Sequence, residues 1–161
     1  MKKYFLFIVV LFSLIACEEN ISFNNPSLQG TKDNVFWRGV QSKATVSADG
    51  SLLIESFTAN ETLSLKTTST KTQTYFLGTS ESKKAIYTIT DATNGLITFS
   101  TGLGVGEGQI VITEYDTVNN TISGTFKFNA KNTNSSSLTN SVVNFQNGVF
   151  YKIPIIRSVV Q

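Results

Sequence analysis

The pattern of this chain predicts an all-β domain, a single antiparallel β-sandwich or small barrel of about eight strands. Three observations carry that expectation. Beyond the first seventeen residues, apolar and polar residues alternate with period two, and no stretch repeats apolar residues at helical spacing over three turns. Turn signals recur roughly every 8–12 residues, the pairs Asp49-Gly50, Asn94-Gly95 and Asn147-Gly148 being the strongest. Twelve Phe, five Tyr and one Trp supply apolar bulk for a packed core, so a disordered stalk is not expected. A sandwich and a barrel produce the same alternation, so the pattern leaves that choice open.

Taken in order, residues 35–40 read as a first strand carrying Phe36 and Trp37, and 43–47 continue or restart it. Asp49-Gly50 is a hairpin turn, because glycine accepts the positive φ that tight turns require. Residues 51–58 and 62–67 follow, separated by a turn at Asn60. The Thr, Lys, Ser and Gln run at 67–74 reads as a loop or exposed edge. Residues 75–78 and 85–90 are further strands, and 96–101 pairs back across Asn94-Gly95. The clearest hairpin joins 109–115 to 121–130 through a turn at 116–120. In its return strand Ile122, Gly124, Phe126, Phe128 and Ala130 share one face, which is expected in the core. Residues 132–140 are a polar loop. The sheet closes with 142–145, a turn at Asn147-Gly148, and 149–153, after which Pro154 is expected to stop pairing.

The N-terminus has a different character. Lys2 and Lys3 precede an apolar run that ends at Ala16-Cys17, the arrangement of a secretory signal peptide. The run is too short for a membrane span of roughly 20 residues. Leu14-Ile15-Ala16-Cys17 resembles the lipobox of bacterial lipoproteins, which implies cleavage before Cys17 and acylation of its sulfur. Cys17 is the only cysteine, and acylation accounts for an otherwise unpaired thiol in an exported chain. The expected organisation is therefore a signal peptide over 1–16, a lipidated flexible tether over 17–33, the β domain over 34–155 and a tail over 156–161. The anchor partner is the membrane, through lipid on Cys17, and the expected location is the outer membrane. There the domain either lies on the cell exterior or faces the periplasm. Glu18-Glu19 resembles the acidic export signal of surface lipoproteins.

Charge and residue types exclude several function classes. Removing Lys2 and Lys3 from the 13 Lys and Arg leaves 11, equal to the 11 Asp and Glu, so the exported part has no basic field for nucleic acid. No histidine is present, which removes His-based triads and the usual general base near neutral pH. Without His or a spare Cys, zinc is not expected. Neither a metal nor another cofactor is expected. Glu107, Glu114 and Asp116 form the only carboxylate cluster, with Glu114 and Asp116 on one strand face about 6–7 Å apart. Asp116 opens a turn, where Asp characteristically caps backbone amides; an enzyme is not expected. Glycines at 102, 104, 106 and 108 precede a strand rather than a helix, so they indicate close backbone approach rather than a phosphate loop.

Gly108 to Asp116, then Thr121-Ile-Ser-Gly-Thr-Phe-Lys-Phe128, then Asn147-Gly-Val-Phe150 resemble a family of small Bacteroidota lipoproteins known only as a domain of unknown function. Its members share a lipobox, an early tryptophan matched here by Trp37, an ISGTFxF strand and a closing NGxF strand. The resemblance spans roughly 34–153 and implies fold and compartment, with no catalytic or ligand residue to carry over. Asp116-Thr117-Val118 likewise resembles the Asp-Ser/Thr-aliphatic acceptor for O-glycans on exported proteins of that phylum, which marks Thr117 as a candidate glycosylation site.

The functional expectation is a lipid-anchored envelope protein with a binding or structural module. Its partner would be an unknown envelope protein or a glycan, and not nucleic acid. The alternative is a lipocalin-like carrier of a small apolar ligand, which requires an unfilled barrel. Phe36, Trp37, Tyr75, Phe76, Tyr87 and Tyr115 are the candidate aromatics for a ligand platform, with Trp37, Tyr75 and Tyr87 foremost. One of the neighbours Phe36 and Trp37 must face outward in a regular strand.

Overall fold

Alternation of buried and exposed residues builds eleven strands in the computed structural model, which describes residues 27–93, 95–133 and 141–157. They are β1 (Ser27–Lys32), β2 (Val35–Arg38), β3 (Gln41–Val46), β4 (Leu52–Phe57), β5 (Glu61–Thr67), β6 (Thr74–Leu77), β7 (Lys84–Asp91), β8 (Gly95–Ser100), β9 (Glu107–Asp116), β10 (Thr121–Asn132) and β11 (Val142–Arg157). No helix occurs among the described residues. The all-β expectation holds, with eleven strands rather than about eight.

All eleven belong to one sheet, in the order β2-β1-β11-β3-β4-β5-β7-β8-β10-β9-β6, and β11 also pairs with β10. That last pairing closes a ring of seven strands. The ring turns its corners on the two longest strands. The end of β10 leaves β9 to pair with β8 (Lys131 opposite Ser100), and the end of β11 pairs with β3 (Ile155 opposite Ala44). The β11–β3 pairing is parallel, the one departure from an antiparallel sheet. The sheet is thus closed like a barrel, yet β2, β1, β11, β10, β9 and β6 form one broad layer facing β3, β4, β5, β7 and β8.

Rings from both layers fill the space between them. Phe145 lies 5.0 Å from Phe128, 5.3 Å from Tyr87 and 5.7 Å from Trp37, centroid to centroid. Leu28, Leu52, Ile54, Leu63, Leu65, Ile110, Ile122 and Ile153 complete the core. Ile122, Gly124, Phe126, Phe128 and Ala130 are all buried, as the alternation of β10 predicts.

The motif glycines have a shared role on this layer. Gly124 is the register partner of Phe150, and Phe126 is the register partner of Gly148. A Cβ on Gly124 would stand 2.4 Å from the Phe150 ring, and one on Gly148 would stand 2.6 Å from the Phe126 ring. Each strand therefore offers a bare backbone on which the other strand's phenylalanine lies.

Three expectations are corrected here. Residues 27–33 are not tether. Ser27–Lys32 is a central strand between β2 and β11. Asp33 and Asn34 both have positive φ (46° and 66°), the conformation of a two-residue hairpin turn. Asn147-Gly148 is not a hairpin turn either. Val143 and Phe150, on either side of it, both pair with β10. The positive φ of Asn147 (51°) makes a bulge inside one continuous strand. Pro154, finally, does not end the sheet. Ile155 N–H donates to Asn120 O on the β10 side at 2.8 Å, so the missing N–H of Pro154 falls on the opposite edge. On that edge, among the described residues, pairing with β1 reaches Ser27 opposite Tyr151 and pairing with β3 starts at Ile155 opposite Ala44. Residues 156 and 157 consequently belong to β11 rather than to a tail. The signal segment, Cys17, residues 18–26 and residues 158–161 lie outside the described residues.

Candidate functional site

The foremost aromatic candidates are core residues. Trp37, Tyr75 and Tyr87 are 5%, 2% and 0% exposed, so none is a ligand-facing platform. Alternation along β2 turns Trp37 inward and Phe36 outward; on β6 it does the same for Tyr75 and Phe76. Phe36 is 68% and Phe76 58% exposed. The Tyr75 hydroxyl lies within hydrogen-bond distance of Ser69 O (2.9 Å) and Lys71 O (3.0 Å), which pins the loop before β6.

The carboxylate cluster is used locally. Asp116 Oδ1 accepts the N–H groups of Val118 and Asn119, both at 2.9 Å, so it caps its turn as its position predicts. Hydrogen bonds from Asn119 hold its carboxyl below the usual range. Glu107 accepts from Asn129 Nδ2 at 3.1 Å, and Glu114 from Ser123 Oγ at 3.3 Å. Thr117 lies exposed in the turn between β9 and β10. The glycine run makes close backbone approaches: a Cβ on Gly106 would stand 2.4 Å from Asn129 O, and one on Gly108 2.2 Å from Lys127 O. Among the described residues, no group of three or more His, Cys, Asp or Glu side chains could hold a metal.

A part-buried polar cluster that sequence reasoning missed joins strands of both layers. Glu61 on β5 accepts from Lys32 Nζ on β1 (2.6 Å), from Trp37 Nε1 on β2 (2.5 Å) and from the Tyr87 hydroxyl on β7. Lys32 Nζ also donates to the Tyr87 oxygen at 2.6 Å. Burial pushes the Glu61 carboxyl upward, but the bonds from Lys32, Tyr87 and Trp37 together outweigh it and hold the group below its ordinary value. Burial, followed by the Glu61 carboxylate, pushes the Tyr87 phenol far above its usual range. No local signal marks this cluster. Its partners stand 24 to 29 residues from Glu61, and only the closed sheet brings them together. Every donor points at one carboxylate, and the arrangement ties the two layers.

The outward face of the β2-to-β6 layer has a different chemistry. Register places Phe76, Gln109, Lys127, Gln146, Thr31 and Phe36 in one row across six strands, with Gln146 at the β11 bulge opposite Lys127. At about 4.8 Å per strand the row is roughly 24 Å long. The next row holds Glu107, Asn129 and Asn144, joined by Asn129 Nδ2 to Glu107 and by Asn144 Nδ2 to Asn129 Oδ1 at 2.5 Å. A groove of about 280 Å³ runs between the rows, lined by Glu107, Gln109, Lys127, Asn129 and Gln146, with Gly108 in its floor. The side chains of Gln109, Lys127 and Gln146 bond no other described residue, whereas Asn129 and Asn144 are locked. The sequence signal for this face was the outward half of each alternation, which core-directed reasoning leaves aside.

No curated protein and no solved structure is detectably similar to this chain. A family model does match, over residues 24–154, and its start before Ser27 agrees with β1 being part of the domain. The chain belongs to the family described as a domain of unknown function, DUF6252.

Proposed function

We propose that the mature chain is a lipid-anchored envelope protein whose β domain is a binding module working through its outer surface. The observation that carries this reading is the face just described, where two exposed phenylalanines flank a polar groove in which Gln109, Lys127 and Gln146 bond no other described residue. The alternative, a lipocalin-like carrier, needs an unfilled interior. The packed rings of Phe128, Phe145, Tyr87 and Trp37 weigh against it. The reading requires no catalysis and no cofactor. Glu107, Glu114 and Asp116 are each engaged by a neighbour, which supports a non-enzymatic role.

The anchor in this proposal is lipid on Cys17 in the outer membrane, with Glu18-Glu19 directing the domain to the cell exterior. With β1 starting at Ser27, the ten residues from Cys17 can reach at most about 35 Å. Metabolic labelling with an alkyne fatty acid, followed by protease treatment of intact cells, tests the anchor and its side. The wild type takes the label and is cut ahead of β1, while Cys17→Ser is unlabelled and leaves the membrane. Equal labelling of the variant overturns the anchor. Resistance of intact cells, with digestion only after lysis, places the domain in the periplasm. The exposed Thr117 is the proposed O-glycan site, lost in Thr117→Val; an intact mass of polypeptide plus lipid alone removes it.

A further inference from the structure

We infer that the groove between β9, β10 and β11 binds a neutral oligosaccharide laid across the strands, with Phe76 stacking on a sugar ring at one end. This deepens the binding-module reading and rests on it. The argument begins with charge. Lys127 and Glu107 are the groove's only charged side chains and they cancel, so neither an anion nor a cation gains from entering. Hydrogen-bonding capacity comes next. Gln109 and Gln146 each present a carboxamide bonded to no other described residue, a donor and an acceptor together, and Lys127 adds donors. A sugar hydroxyl is also a donor and an acceptor together. A chain of hydroxyls satisfies this set, whereas an apolar ligand would desolvate it without return.

Geometry supports the same occupant. Gln109 lies one strand from Phe76, about 5 Å away across the sheet, so a ring stacked on Phe76 places its hydroxyls at the carboxamide. The Asn144–Asn129–Glu107 chain fixes the far wall, so part of the site is preorganised. Phe36, two strands beyond Gln146, ends the row and offers a second ring to a longer chain.

The test places benzoylphenylalanine in the full lipoprotein at Thr125, an exposed neighbour of the groove two residues from Lys127, and irradiates intact cells. The tryptic peptide carrying position 125 should gain mass in hexose-sized steps. Gln109→Ala with Gln146→Ala should cut that yield roughly tenfold or more, the effect of losing one or two hydrogen bonds, without lowering Tm. An adduct with a peptide from another protein, or with a phosphate-bearing lipid, overturns the oligosaccharide and leaves the binding module standing. No adduct from Thr125, Phe36 or Phe76 positions overturns both. An unchanged yield in the double variant overturns the groove as the site.

Discussion

Gly124 and Gly148 are small because a phenylalanine from the opposite strand occupies the place of their side chains. This gives the ISGTFxF and NGxF motifs a physical meaning: each strand supplies one ring and one bare backbone. In Gly124→Ala the new Cβ would also stand 2.0 Å from Val111 O, a backbone atom with no rotamer to change. We expect that substitution to cost at least the ~1–3 kcal/mol typical of overpacking, and more than Gly148→Ala, whose nearest neighbours are atoms of the Phe126 ring. Phe126→Ala should cost about 3–5 kcal/mol and Lys127→Ala under about 0.5 kcal/mol, read by urea denaturation. The inward turn of Phe126 and Phe128 was legible from alternation alone; the partner of each glycine was not, because register across β10 and β11 is a tertiary fact. Glu61 makes the same point more sharply. Its depressed carboxyl contributes stability that is present above the unfolded pKa and lost as pH falls through the folded one. Glu61→Gln should cost about 1.5–3 kcal/mol at neutral pH, the worth of bonds to a charged group. The gap from wild type should then shrink on acidification below the ordinary carboxylate range. A gap independent of pH would remove the charge from the account.

At the scale of elements, β1 and β11 separate what patterning conveys from what it does not. Ser27–Lys32 has Leu28 and Gly30 buried and polar residues between them, a weak alternation beside an Asn-Pro breaker that reads as tether. The Asp33-Asn34 pair was the available signal, since two successive residues that tolerate positive φ make a hairpin turn. β11 shows the converse ambiguity, because Asn-Gly serves a bulge as readily as a turn. Leu28 is fully buried, so Leu28→Ala should destabilise the whole domain by about 2–5 kcal/mol. In native-state hydrogen exchange the bonded amides of β1 should be protected like those of β11. Rapid exchange throughout 27–32, with no loss of global stability in the Leu28 variant, would return that segment to the tether.

The molecule as a whole closes its sheet by letting two long strands change neighbours, and that closure decides where a ligand can go. The core side of every strand is consumed by packing, with rings from β2, β7, β10 and β11 meeting at Phe145. The polar groove lies on the opposite side of the same strands. All-β class, core residues and outward residues could be read from period-two alternation; closure and the alignment of the outer row depend on register, which no local pattern encodes. The account therefore stands most directly on where binding is felt. The isotope-labelled full-length chain in detergent micelles, titrated with neutral oligosaccharides and followed by NMR, separates the two sides. Shifts should appear at the side-chain amides of Gln109 and Gln146 and at the Phe76 ring, with Tyr87, Phe99 and Phe145 unmoved. Shifts concentrated on those three interior rings, with the outer carboxamides silent, would contradict it.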